Sequence, residues 1–222
     1  DALPIYHVEL LEEIEYYSKE YPETVLVAGN IATTKAAEEL EQAGADVIKV
    51  GIGPGSACTT REMTGVGVPQ FTAVNECSEA VNVPVIADGG IRKPGDLAKA
   101  IMAGASAGMI GGMFAGTDEA PGELVERKGE KFKEFRGMSS REAAKERAEK
   151  QDRELKLSEK VSEGEADKVK YKGELKPVIE QFKGCLCSSI SYCGADNIQE
   201  ARKNAEFIEI TSSVQYRNGW HM

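Results

Sequence analysis

Four short apolar runs, each followed at once or within two residues by glycine, constrain this 222-residue chain more than any other feature. They are Val25–Gly29, Val47–Val50, Val83–Ala87 and Ala107–Ile110. Helix signals lie between them. Thr33 or Thr34 can cap a helix Lys35–Ala43 that closes at Gly44, and a helix Pro94–Met102 closes at Gly104. Two helix-to-strand joints share a wording, Gly44-Ala45-Asp46 and Gly104-Ala105-Ser106. A strand, a glycine loop and a helix in repeated order predict parallel βα units, with strands buried on both faces. Two architectures fit: an open doubly wound sheet and a (β/α)8 barrel. In both, the loops after the strands form the functional face, and that is where the glycines stand.

The flanks read differently. Val8, Leu11, Ile14 and Tyr17 recur every three residues among glutamates and predict a helix ended by Pro22. Leu175–Phe182 and Asn197–Lys203 are expected to be helical, Phe207–Ile210 a short strand, and Ser212–Met222 extended. In Arg141–Lys170, 18 of 30 residues are charged, nine of each sign. Arg141–Lys150 suits a solvated helix with i,i+4 pairs. Periodicity fails over Gln151–Asp167, which suits a flap over a site. The expected divisions are an N-terminal helix in 1–24, four βα units in 25–126, a charged flap in 127–172 and closing helices with a tail in 173–222.

Composition excludes several functions. A net charge of −10 argues against a DNA- or RNA-binding surface, which needs clustered Lys and Arg. It leaves room for one small nucleotide held by backbone N–H groups. No apolar run approaches the ~18 residues of a membrane span. Five cysteines (58, 77, 185, 187 and 193), odd in number and scattered, fit reduced thiols in a cytoplasmic protein rather than a disulfide framework. Cys185, Cys187 and Cys193 lack the fourth ligand of a zinc site.

The chemistry concentrates in Gly51-Ile-Gly-Pro-Gly-Ser-Ala-Cys-Thr-Thr-Arg61. Three glycines and a proline in five residues force a tight loop directly after a strand. Such a loop aims several N–H or C=O groups at one point. Cys58 lies just beyond it, with Thr60 and Arg61 close by, and could act as a nucleophile; the plain alternative is a small buried hydrophobe. Asp88-Gly89-Gly90 could offer a carboxylate to a ribose diol and N–H groups to a phosphate, and Gly111-Gly112 could do the same for phosphate. Glycine pairs after the last two strands match the phosphate site barrels often build there. His7 and His221 sit near the ends of the chain, so proton transfer falls to other groups, with Thr60 and Glu163 as candidates.

These stretches, together with Thr64-Gly-Val-Gly-Val-Pro-Gln70, Ile86-Ala-Asp-Gly-Gly90, Gly111-Gly-Met-Phe-Ala-Gly116, Ala120-Pro-Gly-Glu123, Arg136-Gly-Met-Ser-Ser140 and Ser162-Glu-Gly164, occur in the order found in the IMP dehydrogenase/GMP reductase family. The chain resembles that family over roughly residues 25–211. The resemblance implies a (β/α)8 barrel, usually a homotetramer, that binds a purine nucleoside monophosphate (GMP or IMP) and NADPH or NAD. It implies that Cys58 attacks C2 of the purine and that Thr60 and Glu163 relay protons. Ser56, Gly90, Gly111 and Gly112 would hold the phosphate, Asp88 the ribose, and Met138 and Ser139 would contact the base, with Gly89, Arg136 and Gly137 also expected among the substrate-binding residues. The backbone carbonyls of Gly53, Gly55 and Cys58 would hold a monovalent cation, usually potassium.

Ser139 after Met138, Met63-Thr-Gly65 and Ser191-Tyr-Cys-Gly-Ala195 resemble the reductase, where the dehydrogenase usually has Gly after Met. Glu154 stands where the dehydrogenase flap usually offers a Tyr to activate water. Ala120–Glu123 and Phe114–Thr117 fit either enzyme. The reading favoured is reduction of GMP to IMP, with oxidation of IMP to XMP as the alternative. Only four βα units are present, matching strands five to eight of the family barrel. The expectation is therefore a C-terminal half-barrel, either part of a longer chain or completed by a partner. A non-catalytic nucleotide-binding or assembly module is the reading from another class.

Overall fold

The structure, a computed structural model, describes residues 8–56, 58–137 and 166–210. Helix α1 (Val8–Glu20) leads into β1 (Val27–Ile31), α2 (Thr34–Gln42) and β2 (Val47–Val50). Then come a short helix α3 (Thr60–Thr64), α4 (Gln70–Ala80), β3 (Val85–Asp88), α5 (Pro94–Met102) and β4 (Ala107–Met109). The four strands form one parallel sheet in the order β1-β2-β3-β4. Val27 pairs with Val47, Ile48 with Val85, and Ile86 with Ala107.

This order separates the two architectures. A doubly wound sheet reverses direction at a switch point. Here every strand pairs with its sequence neighbour, and α2, α4 and α5 pack against one another in a row. The result is part of a (β/α)8 barrel.

Burial along the strands shows the same thing. Ile48 and Val50 of β2 and Val85 and Ala87 of β3 are buried, whereas Lys49, Ile86 and Asp88 between them are half-buried. Burial on both faces was the expectation, and only the helix-facing side meets it. Strand residues alternate in direction, and four strands curl through only part of a barrel, so the inner face stays open. The buried face packs on Ala36, Ala37 and Leu40 of α2 and on Ala73, Val74 and Cys77 of α4. Thr33 caps α2 by accepting from the Ala36 N–H, the role its position predicts.

Several expected boundaries move. The first strand begins at Val27, because Leu26 instead donates its N–H to Asp46 Oδ2 at 2.8 Å. Helix α4 is not among the helices the periodicity singles out, although Pro69 stands just before it. The charged region contains β-structure. Strands β5 (Leu124–Arg127) and β6 (Glu130–Arg136) form a hairpin, and β7 (Ala166–Lys170) pairs antiparallel with β6. Lys128 and Gly129 both take positive φ (51° and 79°), as a two-residue type I′ turn requires. The proposed helix Arg141–Lys150, and 151–165 of the proposed flap, lie outside the described residues.

In the closing part, α6 (Leu175–Tyr192) runs ten residues past the expected Phe182, and α7 (Ile198–Asn204) matches its expectation within a residue. Cys185 and Cys187 lie on α6, while Cys193 caps it and packs near Met102 and Ala201. Phe207–Ile210 is not a strand. Phe207 packs edge-on against Phe71, with ring centroids 4.6 Å apart, and Ile208 is exposed. No helix among the described residues is long and apolar enough to cross a membrane.

Candidate active site

The three loops that follow β2, β3 and β4 converge on one cavity of about 570 Å³ at the C-terminal edge of the sheet. Ser56 and Cys58 reach it from the first loop, Asp88, Gly89 and Gly90 from the second, and Gly111 and Gly112 from the third. Gly137 and Phe135 add a wall from the end of β6. The size suits a small-molecule ligand.

Glycine is what lets the loops approach so closely. A Cβ on Gly112 would stand 2.8 Å from Ser56 Oγ. One on Gly89 would lie 3.0 Å from Pro54 and 3.1 Å from the Gly55 nitrogen. Gly89 and Gly90 also both take left-handed φ, 85° and 78°, which side chains with a Cβ rarely adopt.

The glycine N–H groups are not equivalent. Gly89 donates to the Met109 carbonyl at 3.2 Å, extending the β3–β4 ladder. Its N–H is therefore unavailable to an anion, although Gly89 lines the cavity. Among the described residues, the N–H groups of Gly90, Gly111 and Gly112 make no hydrogen bond. Backbone donors gathered at a concave site form an anion-binding nest.

Cys58 Sγ lies 3.1 Å from Thr60 Oγ1, within hydrogen-bonding distance for sulfur. Thr60 opens α3, which holds its hydroxyl two residues from the thiol. Cys77 is the contrasting case. It is fully buried in the core, and burial, helped by the Glu76 charge, pushes its thiol up to about 12. Cys77 is a packing residue, whereas Cys58 faces the cavity.

Asp88 is held by two residues that sequence reasoning did not single out. Lys49 forms an ion pair with Asp88 Oδ2, and Asn30 Nδ2 donates to the same oxygen at 2.9 Å and to the Gly51 carbonyl at 2.8 Å. Both contacts fall on Oδ2, so the other oxygen remains for a ligand. A lysine in an otherwise apolar strand was the available signal for Lys49. For Asn30 it was an amide immediately after the strand glycine.

Two more residues brace the cysteine loop. Arg61 Nε donates to the Ile52 carbonyl at 3.1 Å, and its guanidinium also reaches the Val68 carbonyl. Gln70 Nε2 donates to the Val50 carbonyl at 2.9 Å and the Asp88 carbonyl at 3.3 Å, linking the ends of β2 and β3. The Gly55 carbonyl accepts the Cys58 N–H at 3.1 Å. Arg136 ends β6; Met138, Ser139 and Glu163 lie outside the described residues.

A cysteine, a hydroxyl partner, a fixed carboxylate and three glycines with unbonded N–H groups among the described residues thus meet at the rim of a partial βα barrel, the face on which barrel enzymes carry their sites. Residues 5–221 match the IMP dehydrogenase/GMP reductase domain, and the chain belongs to that family. Inosine-5'-monophosphate dehydrogenase of Chlorobaculum parvum is 45% identical over 212 residues, covering 92% of this chain and 43% of the relative. The enzyme of the same name from Aquifex aeolicus is 47% identical, over 91% and 42%. Among solved structures, the C318A variant of Trypanosoma brucei GMP reductase with guanosine 5'-monophosphate superimposes with a TM-score of 0.88 at 40% identity, over 96% of this chain and 44% of that one. The chain thus spans less than half the length of these relatives.

Proposed function

We propose that the chain carries the nucleotide-activating part of a purine nucleoside monophosphate oxidoreductase, acting on GMP or IMP at C2 of the base. The observation that carries this reading is that one cavity is lined by Cys58, Asp88 and the glycines Gly90, Gly111 and Gly112, whose N–H groups make no hydrogen bond among the described residues. The phosphate rests on those N–H groups and on Ser56. The ribose hydroxyls donate to Asp88, whose carboxylate is held in place by Lys49 and Asn30. This fixes the purine with its C2 toward Cys58 Sγ.

In the reductase reading, the thiolate attacks C2 of GMP, the exocyclic amine leaves as ammonia with a proton, and hydride delivered to C2 expels the thiolate and yields IMP. NADPH, when bound, would supply that hydride. Thr60 sits where it can pass the proton, with Glu163 as its relay partner. In the second reading, favoured by the names of the sequence relatives, Cys58 adds at C2 of IMP, NAD would take the hydride lost from C2, and water then hydrolyses the adduct to XMP and frees the thiol. The resemblance of Arg136–Ser140 to the reductase, together with the structural likeness to a GMP reductase, favours the first.

Backbone carbonyls of Gly53, Gly55 and Cys58 offer neutral oxygen donors, which suit a monovalent cation. Gly55 O would share itself between the cation and the Cys58 N–H. Family membership supports an oligomer, with a tetramer as the expectation, and a cytoplasmic setting.

Absorbance at 340 nm tests the reading. With GMP and NADPH it should fall, and it should not with Cys58→Ala. IMP with NAD, run in parallel, separates the two reactions. Absence of GMP and IMP binding at millimolar ligand would overturn both.

A further inference from the structure

Strand β6 turns one face toward the loop that follows β4. Phe135 and Lys133, two residues apart, share that face. Phe135 packs on the near end of the loop, where a Cβ on Gly111 would lie 3.6 Å from its ring. Lys133 reaches the far end. Its Nζ donates to the carbonyls of Thr117 at 2.8 Å, of Asp118 at 3.2 Å, and of Ala120.

Lys133 is only 6% exposed, and no carboxylate among the described residues pairs with it. An ammonium has three N–H donors, and here three carbonyls take all three. A buried cation without a counter-ion is costly unless its donors are fully satisfied. The compensation therefore depends on residues 117–120 keeping their shape. The strand on the other side of β6 is tied to the same loop. Just beyond β7, Tyr171 Oη donates to Asp118 Oδ1 at 2.7 Å, and the Lys172 N–H donates to the Gly116 carbonyl at 2.8 Å.

We propose that Lys133 is a positioning residue. It locks the 111–120 loop onto β6 so that the Gly111 and Gly112 N–H groups stay aimed at the substrate phosphate. This rests on the phosphate assignment above.

The test compares the wild-type chain with Lys133→Met and Lys133→Gln. Without ligand, amide hydrogen exchange over Gly111–Ala120 should speed up at least tenfold in Lys133→Met, while β2 and β3 amides keep their rates. Calorimetry should show GMP binding weakened about tenfold, with guanosine, which lacks the phosphate, unchanged within twofold. KM should rise more than kcat falls. Lys133→Gln, which keeps an N–H2 donor at shorter reach, should fall between the other two. Unchanged exchange in the loop would overturn the proposal. So would equal losses for GMP and guanosine, or unfolding of both variants, which would make Lys133 a general fold support. If the wild-type chain binds neither GMP nor IMP, the phosphate reading fails, while loop exchange still reports whether Lys133 holds the loop.

Discussion

Cys58 Sγ and Thr60 Oγ1 stand 3.1 Å apart at the mouth of the cavity, joined by one residue of chain and held by the first turn of a short helix. A hydroxyl so placed can give or take the proton that thiol chemistry moves. Thr60→Val keeps the shape and removes the hydroxyl. It should lower kcat on the order of 10²-fold with KM little changed, since general acid–base groups typically contribute that much. Thr60→Ser should recover most of the rate. Steady-state kinetics of the three forms checks this.

Two glycines predict opposite outcomes on alanine substitution. A Cβ on Gly112 meets only the end of the Ser56 side chain, which can rotate away. Gly112→Ala should keep its melting temperature and weaken nucleotide binding about tenfold, because Ser56 is displaced and the N–H nest is crowded. A Cβ on Gly51 would lie 2.1 Å from the Asp88 carbonyl, with φ at +153°. Nothing there can yield cheaply, so Gly51→Ala should destabilise the fold by at least about 2 kcal/mol. Urea unfolding beside calorimetry distinguishes the two effects.

In the proposed reading, Lys49 acts on the ligand through Asp88. Lys49→Met leaves that carboxylate with Asn30 as its one remaining partner among the described residues. The carboxylate should lose its fixed orientation, and KM for the nucleotide should rise on the order of tenfold, about 1.4 kcal/mol. Lys49→Arg should restore part of it. Equal KM values for wild type and Lys49→Met would show that the pair does not orient the ribose contact.

Cys77 gives a pH prediction. Its thiol is raised from 9.0 to about 12 in the folded chain, chiefly by burial. Below pH 9 the thiol is neutral in both folded and unfolded states, and its contribution is fully present. Between pH 9 and 12 the unfolded thiol ionises while the folded one does not, so stability falls as pH rises. Moving from pH 8 to pH 10 should cost the wild type about 1 kcal/mol more than Cys77→Ala. Urea midpoints at the two pH values measure it. Thiol alkylation at pH 8, followed by peptide mass analysis, should mark Cys58 well before Cys77.

The glycine-rich loops were legible in the sequence because each follows a strand and each is short. Ser56, Cys58, Asp88 and the glycine pairs meet in one cavity for that reason. Lys49 and Asn30 were not legible, because their importance arises only when β1, β2 and β3 pair and bring three residues far apart in the chain together. The hairpin after β4 was hidden by its charge. Lys131, Lys133 and Glu134 look solvent-facing by composition, yet Lys133 is buried and satisfied by carbonyls whose approach no local pattern encodes. Gly89 shows a finer limit. Its place at the site could be read from the motif, but the loss of its N–H to Met109 depends on the register of β3 with β4.

The strand order has a consequence for how the sheet comes apart. Among the described residues each of the four strands pairs only with its neighbours in the chain, so order can spread from one βα unit to the next. A lesion in β2 or β3 breaks the link between the cysteine loop after β2 and the glycine loop after β4, so these two strands carry the mechanical continuity of the site.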